Sequence, residues 1–172
     1  MGAYVRSLLF VLGQGVSTII FAPFCLLVFP LPFLWRYWFF IQWNRFNVWW
    51  LALTCGIHYE VIGRENIPAT NAIVLCKHQS AWETLVLPLC LPPLAFVIKR
   101  ELLWIPLFGW GLALLEPVAI DRLARRKAIY QLLVQGRERL EAGRWLVVFP
   151  EGTRVSAGSR GVYALGGALL AA

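Results

Sequence analysis

The chain has 172 residues and a formal net charge of +7, with 59% apolar and only 15% charged residues. Soluble domains hold about 45–50% apolar and about 25% charged residues, so the composition points away from an ordinary soluble domain. A basic balance suits nucleic acid, anionic lipid or phosphorylated substrates, but nucleic acid is a poor fit here, because the basic residues after position 56 alternate with acids and the N-terminus is strongly apolar.

No charged residue lies between Arg6 and Arg36. A membrane span needs about 20 predominantly apolar residues, and residues 7–35 exceed that. They also exceed the ~7–15 apolar residues of a secretory signal, and no small-residue cleavage site follows. Prolines at 23, 30 and 32 argue against one straight helix. Residues 36–55 form a second hydrophobic stretch, interrupted by Gln42, Asn44, Arg45 and Asn47. Tryptophans at 35, 38, 43, 49 and 50, with Tyr37, have the character of an interfacial belt. The expectation is two helices joined near Pro30–Pro32. The second is more interfacial than spanning, because Arg45 is costly at a bilayer centre.

After Gly56 the pattern changes to short apolar strands between helical stretches. Strand candidates are 57–62, 72–76, 94–98, 115–120 and 145–149; helix candidates are 81–91, 101–113 and 123–142. Alternation of this kind predicts an α/β layer fold. Two parts are expected, a membrane-associated helical hairpin at 1–55 and an α/β domain at 56–172. The last residues, Gly166 to Ala172, read as a helix in mid-course with no stop signal, so the domain is expected to be incomplete there. The cysteines at 25, 55, 76 and 90 have no Cys-x-x-Cys or metal-ligand spacing. They give no argument for an oxidising compartment or a metal site, and Cys76 and Cys90 read as reduced core residues.

Three clusters carry chemistry. His78 follows an apolar strand in Lys77-His78-Gln79-Ser80-Ala81-Trp82-Glu83. A turn can bring Glu83 to the imidazole, fixing its tautomer and leaving the other ring nitrogen to accept a proton from a hydroxyl. Ser80-x-x-Glu83 also matches a capping box, in which Glu83 only completes a helix start. The second cluster, Phe149-Pro150-Glu151-Gly152-Thr153-Arg154, turns sharply after an apolar strand; it exposes backbone N–H groups, and Arg154 adds a fork of donors suited to phosphate. The bland alternative is a strand-end turn with a solvated arginine. The third places Lys99 and Arg122 after strand candidates, where both can open onto the same edge, with Asp121–Arg122 as a possible local ion pair. His58, in a strand candidate without a partner motif, reads as a satisfied structural histidine. Ser80 and Ser156 lack the Gly-x-Ser-x-Gly context of a nucleophile.

With these blocks in order, the sequence resembles the glycerolipid acyltransferase family over residues 57–170. His78 to Glu83 resembles its His-x-x-x-x-Asp block, with Glu83 in place of the usual Asp. Lys99-Arg100-Glu101-Leu102 through Ile120-Asp121-Arg122 resembles the second block, and Phe149 to Arg154 the third. The fourth, an apolar Val-Pro-Val-type strand, is not met before Ala172. The resemblance implies a glycerolphosphate-acyltransferase-like mixed sheet flanked by helices, preceded by a hydrophobic two-helix membrane motif. It implies acyl transfer from acyl-coenzyme A or acyl carrier protein to the free hydroxyl of lysophosphatidate, with His78 and Glu83 catalytic. Lys99, Arg122, Glu151, Gly152, Thr153 and Arg154 would bind substrate. No cofactor, metal or nucleic acid is implied; the partners are the substrates and membrane lipid, with the domain on the cytoplasmic side of an inner membrane. Rival expectations are a different lysophospholipid or glycerol-3-phosphate as acceptor, and a truncated, non-catalytic membrane protein.

Overall fold

The computed structural model describes residues 2–171. Helix α1 (Ala3–Val28) and helix α2 (Phe33–Cys55) form the N-terminal hairpin. The chain breaks between them at Phe29–Pro32, where the two closely spaced prolines remove backbone donors; Pro23 stays inside α1. Gly13 lets the helices close up, since a Cβ there would lie 2.1 Å from the indole nitrogen of Trp50. That indole donates to the Leu9 carbonyl at 3.1 Å, and Arg6 Nε donates to the Thr54 carbonyl at 2.8 Å across the open end. By length and composition α1 can cross a membrane; α2, with Gln42 and Arg45 on its exposed side, does not meet the same test.

The remainder alternates strand and helix: β1 (Ile73–Leu75), α3 (Trp82–Cys90), β2 (Leu94–Lys99), α4 (Phe108–Leu114), β3 (Val118–Ile120), α5 (Arg125–Glu141), β4 (Trp145–Val148) and α6 (Gly166–Ala171). The sheet order is β1-β4-β2-β3, and every described pairing is parallel. A parallel sheet is covered on both faces, and its strands are apolar throughout. Accordingly Ala95, Val97, Leu146 and Val148 face a core with Leu132 of α5 and Leu170 of α6. The alternate residues Leu94, Phe96, Ile98, Trp145 and Val147 face Leu87, Leu102 and Leu112 on the other side.

The mixed sheet that was expected is parallel in its described pairings, because residues 57–62 form no strand. All six are exposed, and β preference is expressed only where a partner strand and a buried face receive the side chains. His58, read as a satisfied structural histidine, is exposed. The candidate helix 101–113 is split into a 3-10 turn (Arg100–Trp104) and α4. Pro106 and Leu107, the latter at φ 66°, turn the chain between them.

The edge strand β3 is closed by a side chain. Gln135 of α5 accepts from Ala119 N–H and donates to Ala119 C=O, both at 3.1 Å, satisfying groups that a bare edge leaves unpaired. The hairpin is not an appendage. Tyr37, Phe40, Ile41 and Trp43 of α2 share one core with Leu85 and Leu115. At the hairpin's turn, Glu116 bridges Arg36 of α2 and Arg144, which precedes β4. The Arg144 guanidinium also lies 3.7 Å above the Phe33 ring centroid.

Candidate active site

In a parallel sheet all carboxyl ends lie on one edge, and ligands of open α/β folds bind there. Here that edge gathers the three clusters. β1 leads to Lys77 and His78, β4 to Phe149 through Arg154, β2 ends at Lys99 and β3 leads to Arg122.

His78 is held from three sides. Its ring stacks on Phe149, centroids 4.1 Å apart and planes at 21°, and Phe149 in turn stacks on Phe96 of β2. Its carbonyl accepts from Val155 N–H at 2.8 Å, joining the β1 loop to the β4 loop. Its Nδ1 lies 3.4 Å from Glu83 Oε2. Nδ1 is buried and makes no hydrogen bond among the described residues, so the carboxylate faces the ring nitrogen without a formed hydrogen bond. The His78 and Glu83 side chains are 17% and 12% exposed.

Glu83 also makes its own half of the capping box, reaching back to the backbone ahead of α3. Its carboxylate accepts from Gln79 N–H at 3.0 Å and Ser80 N–H at 3.1 Å, while Ser80 Oγ accepts from Trp82 N–H at 3.0 Å. The two readings weighed for Glu83 are thus simultaneous. The carboxylate that binds the backbone at the start of α3 also faces the imidazole.

The turn after β4 is built around Glu151, whose side chain is 1% exposed. Glu151 Oε1 accepts from Gly161 N–H at 2.8 Å and from Lys77 Nζ at 3.1 Å. Lys77 Nζ donates further to the Ser159 carbonyl at 2.6 Å. The Gly161 amide first, then the Lys77 ammonium, hold the Glu151 carboxyl below the usual carboxylate range against the cost of its desolvation. Expected to meet substrate, Glu151 here spends Oε1 inside the protein, tying the 159–161 loop to the strand end. Its Oε2 is buried and has no hydrogen-bond partner among the described residues.

Gly152 sits at φ 65°, a left-handed conformation that a side chain disfavours, and its carbonyl accepts from Arg122 Nη1. Partial desolvation lowers the Arg122 pKa. The alternative of a local Asp121–Arg122 ion pair is not met. Asp121 pairs with Arg100 at 3.0 Å instead and caps Leu123 N–H, because consecutive side chains at a strand end diverge. Thr153, Arg154 and Lys99 are exposed; among the described residues, none of their side chains bonds to His78 or Glu83. Sequence reasoning missed Lys77 and the stacking role of Phe149. Both lie within the recognised blocks, but only the fold brings them to Glu151 and His78. Among the described residues no group of three or more His, Cys, Asp or Glu side chains is placed to hold a metal ion.

Comparison with known proteins agrees with this geometry. A sequence model of the family described as acyltransferase matches residues 58–171. The chain is 46% identical over 169 residues to a 1-acyl-sn-glycerol-3-phosphate acyltransferase of Pseudomonas aeruginosa, covering 97% of this chain and 66% of the relative. It is 34% identical over 113 residues to a lyso-ornithine lipid O-acyltransferase of the same organism, covering 64% of this chain and 42% of that protein. The crystal structure of the 1-acyl-sn-glycerophosphate acyltransferase PlsC from Thermotoga maritima superposes with a TM-score of 0.76 at 26% identity, over 98% of this chain and 68% of that one. The chain thus spans at most about two thirds of the length of these curated relatives. With a family match over residues 58–171 and the blocks of that match folded onto one sheet edge, the chain belongs to the acyltransferase family.

Proposed function

We propose that the protein transfers a fatty acyl group from a thioester donor, acyl-coenzyme A or acyl carrier protein, to the free hydroxyl of 1-acylglycerol-3-phosphate, producing phosphatidate. The observation that carries this reading is His78 Nδ1 turned inward to Glu83 at 3.4 Å, which reserves Nε2 for a substrate hydroxyl. As the hydroxyl oxygen attacks the thioester carbonyl, Nε2 takes its proton and Glu83 stabilises the imidazolium. Collapse of the tetrahedral intermediate breaks the carbon–sulfur bond, and the imidazolium returns the proton to the departing thiolate. Atoms and charge balance without a covalent enzyme intermediate or a cofactor; the donor is a second substrate.

Arg154 and Lys99 are the exposed cations at the same edge, and Arg122 steadies the Gly152 turn beside them. They supply charge-assisted hydrogen bonds for the acceptor's phosphate, with the backbone N–H groups of Gly152 and Thr153 at the turn. Glu151 acts through that turn as a positioning residue. The apolar hairpin keeps the site at a membrane, with the α/β part on the cytoplasmic side, where thioester donors are made. A second reading, another lysolipid as acceptor, is favoured by the likeness to the lyso-ornithine lipid O-acyltransferase.

The test is acyl transfer by the purified protein, comparing lysophosphatidate with lyso-ornithine lipid and lysophosphatidylcholine. General-base catalysis contributes about 10²–10⁴-fold, and His78→Ala is expected to lose that factor in kcat. Retention of near-native turnover by His78→Ala refutes the mechanism; preference for an acceptor without phosphate refutes the substrate.

A further inference from the structure

Helix α2 presents one exposed stripe, Trp35, Trp38, Gln42, Arg45, Trp49 and Leu53, at helical spacing. Tryptophan bodies with a cation at mid-helix are the composition of a helix lying at the headgroup level of a bilayer. Against the Arg45–Ala52 stretch of this stripe lies a cleft of about 300 Å³, walled by Trp49, Ala52, Tyr59 and Leu89 of α3, with Arg45 and His58 among its lining. No acidic residue lines it. Arg45 has only an exposed 3.4 Å contact to Gln42 Oε1, and neither Arg45 nor His58 is ion-paired among the described residues. His78 and the residues that carry the proposed reaction are absent from its walls. Tyr59 meets Trp82 edge-on, with centroids 6.0 Å apart, on the side toward α3.

We propose that this cleft binds the phosphate of an anionic membrane phospholipid, at a site separate from the acceptor site beside His78. Arg45 offers a guanidinium fork and His58 a ring N–H in either protonation state. The glycerol and upper acyl chain lie against Trp49 and Leu89. A bilayer lipid is the occupant because the basic groups open onto the tryptophan stripe itself, so the acyl chains need not leave the membrane plane. A soluble anion makes no use of that apolar wall. Occupancy would fix the depth and roll of α2, and through its shared core with Leu85 the pose of α3 and Glu83.

The experiment titrates the full chain in neutral detergent micelles with short-chain phosphatidylglycerol or phosphatidylcholine and counts retained lipid by native mass spectrometry. Phosphatidylglycerol is expected to be retained in preference. Removing one basic group near a lipid headgroup weakens binding about 5-fold, so Arg45→Gln should do so and His58→Gln should add to it. Ala52→Leu, which fills the cleft without altering charge, should reduce retention as well. Lys127→Gln on α5 and Arg154→Ala should leave it native. Native phosphatidylglycerol retention by Arg45→Gln overturns the proposal, as does native retention by a folded Ala52→Leu. So does loss of retention in Arg154→Ala, which would assign the lipid to the acceptor site, or displacement by inorganic phosphate alone, which would assign a soluble anion. Arg45 is exposed, so Arg45→Gln keeps the test readable even if Ala52→Leu fails to fold.

Discussion

Glu83 stands 3.4 Å from His78 Nδ1 while the same carboxylate accepts the N–H groups of Gln79 and Ser80. One side chain thereby fixes the start of α3 and orients the imidazole, so the two roles separate only by measuring stability and turnover together. Glu83→Gln keeps the cap, since Gln serves at that position, but removes the charge that stabilises an imidazolium. Its melting temperature should stay near native while kcat falls at least about 10-fold, a part of the range for positioned general-base catalysis. Glu83→Asp should be milder in kcat. A Glu83→Gln enzyme with native kcat would leave Glu83 as a cap only.

Phe149 forms the floor under the His78 ring. Phe149→Leu keeps an apolar residue but removes the flat face, allowing the imidazole to rotate away from Glu83. We expect kcat to fall several-fold with the acceptor KM unchanged, and Phe149→Tyr to recover most of it. A KM effect without a kcat effect would place Phe149 in substrate binding instead.

Glu151 links stability to pH. Its folded-state pKa is lowered, the Gly161 N–H and Lys77 being the main causes. A lowered carboxyl pKa means that the unfolded chain binds more protons below its own pKa of about 4.3, so stability rises with pH through that window. The contribution is complete above the unfolded pKa and is lost as pH falls through the folded one. Melting temperatures from neutral to acid pH should fall less steeply in Glu151→Gln than in the native protein. Identical slopes would show that the Lys77 and Gly161 contacts do not persist in solution.

The bridge through Glu116 joins the hairpin to the sheet. Partial burial pushes its carboxyl up, but Arg144 and Arg36 together outweigh that and hold it below the usual range; the two arginine side chains are each 12% exposed. Glu116→Ala leaves two facing guanidinium groups without a counter-charge. A hydrogen bond to a charged group is worth about 1.5–3 kcal/mol, and a loss of that order should appear as lowered thermal stability with earlier proteolysis near Phe29–Pro32. Glu116→Gln should be intermediate. An unchanged melting temperature in Glu116→Ala would show that the apolar core around Tyr37 and Leu115 suffices alone.

Much of the architecture was legible from local chemistry. The charge-free run before Arg36 and the paired prolines determined a hairpin. Short apolar runs at 72–76, 94–98 and 145–149 pointed to strands, since they are too short for a helix and a sheet covered on both faces accepts continuous apolar residues. Recognised blocks at strand ends also announced where the chemistry sits, because parallel strands deliver their carboxyl ends to one edge. Tertiary structure decided what depends on a distant partner. Residues 57–62 have strand composition but no neighbour to pair with, so they remain outside the sheet. Beyond the end of β3, Asp121 turned to Arg100 and Arg122 to the Gly152 carbonyl, partners that only the fold brings near. Lys77 and Glu151 are 74 residues apart in the chain, and Arg36 and Glu116 are 80 apart. Periodicity and propensity describe a residue's immediate neighbours along the chain, whereas an ion pair of this kind exists only after the β1 and β4 strand ends have been brought side by side.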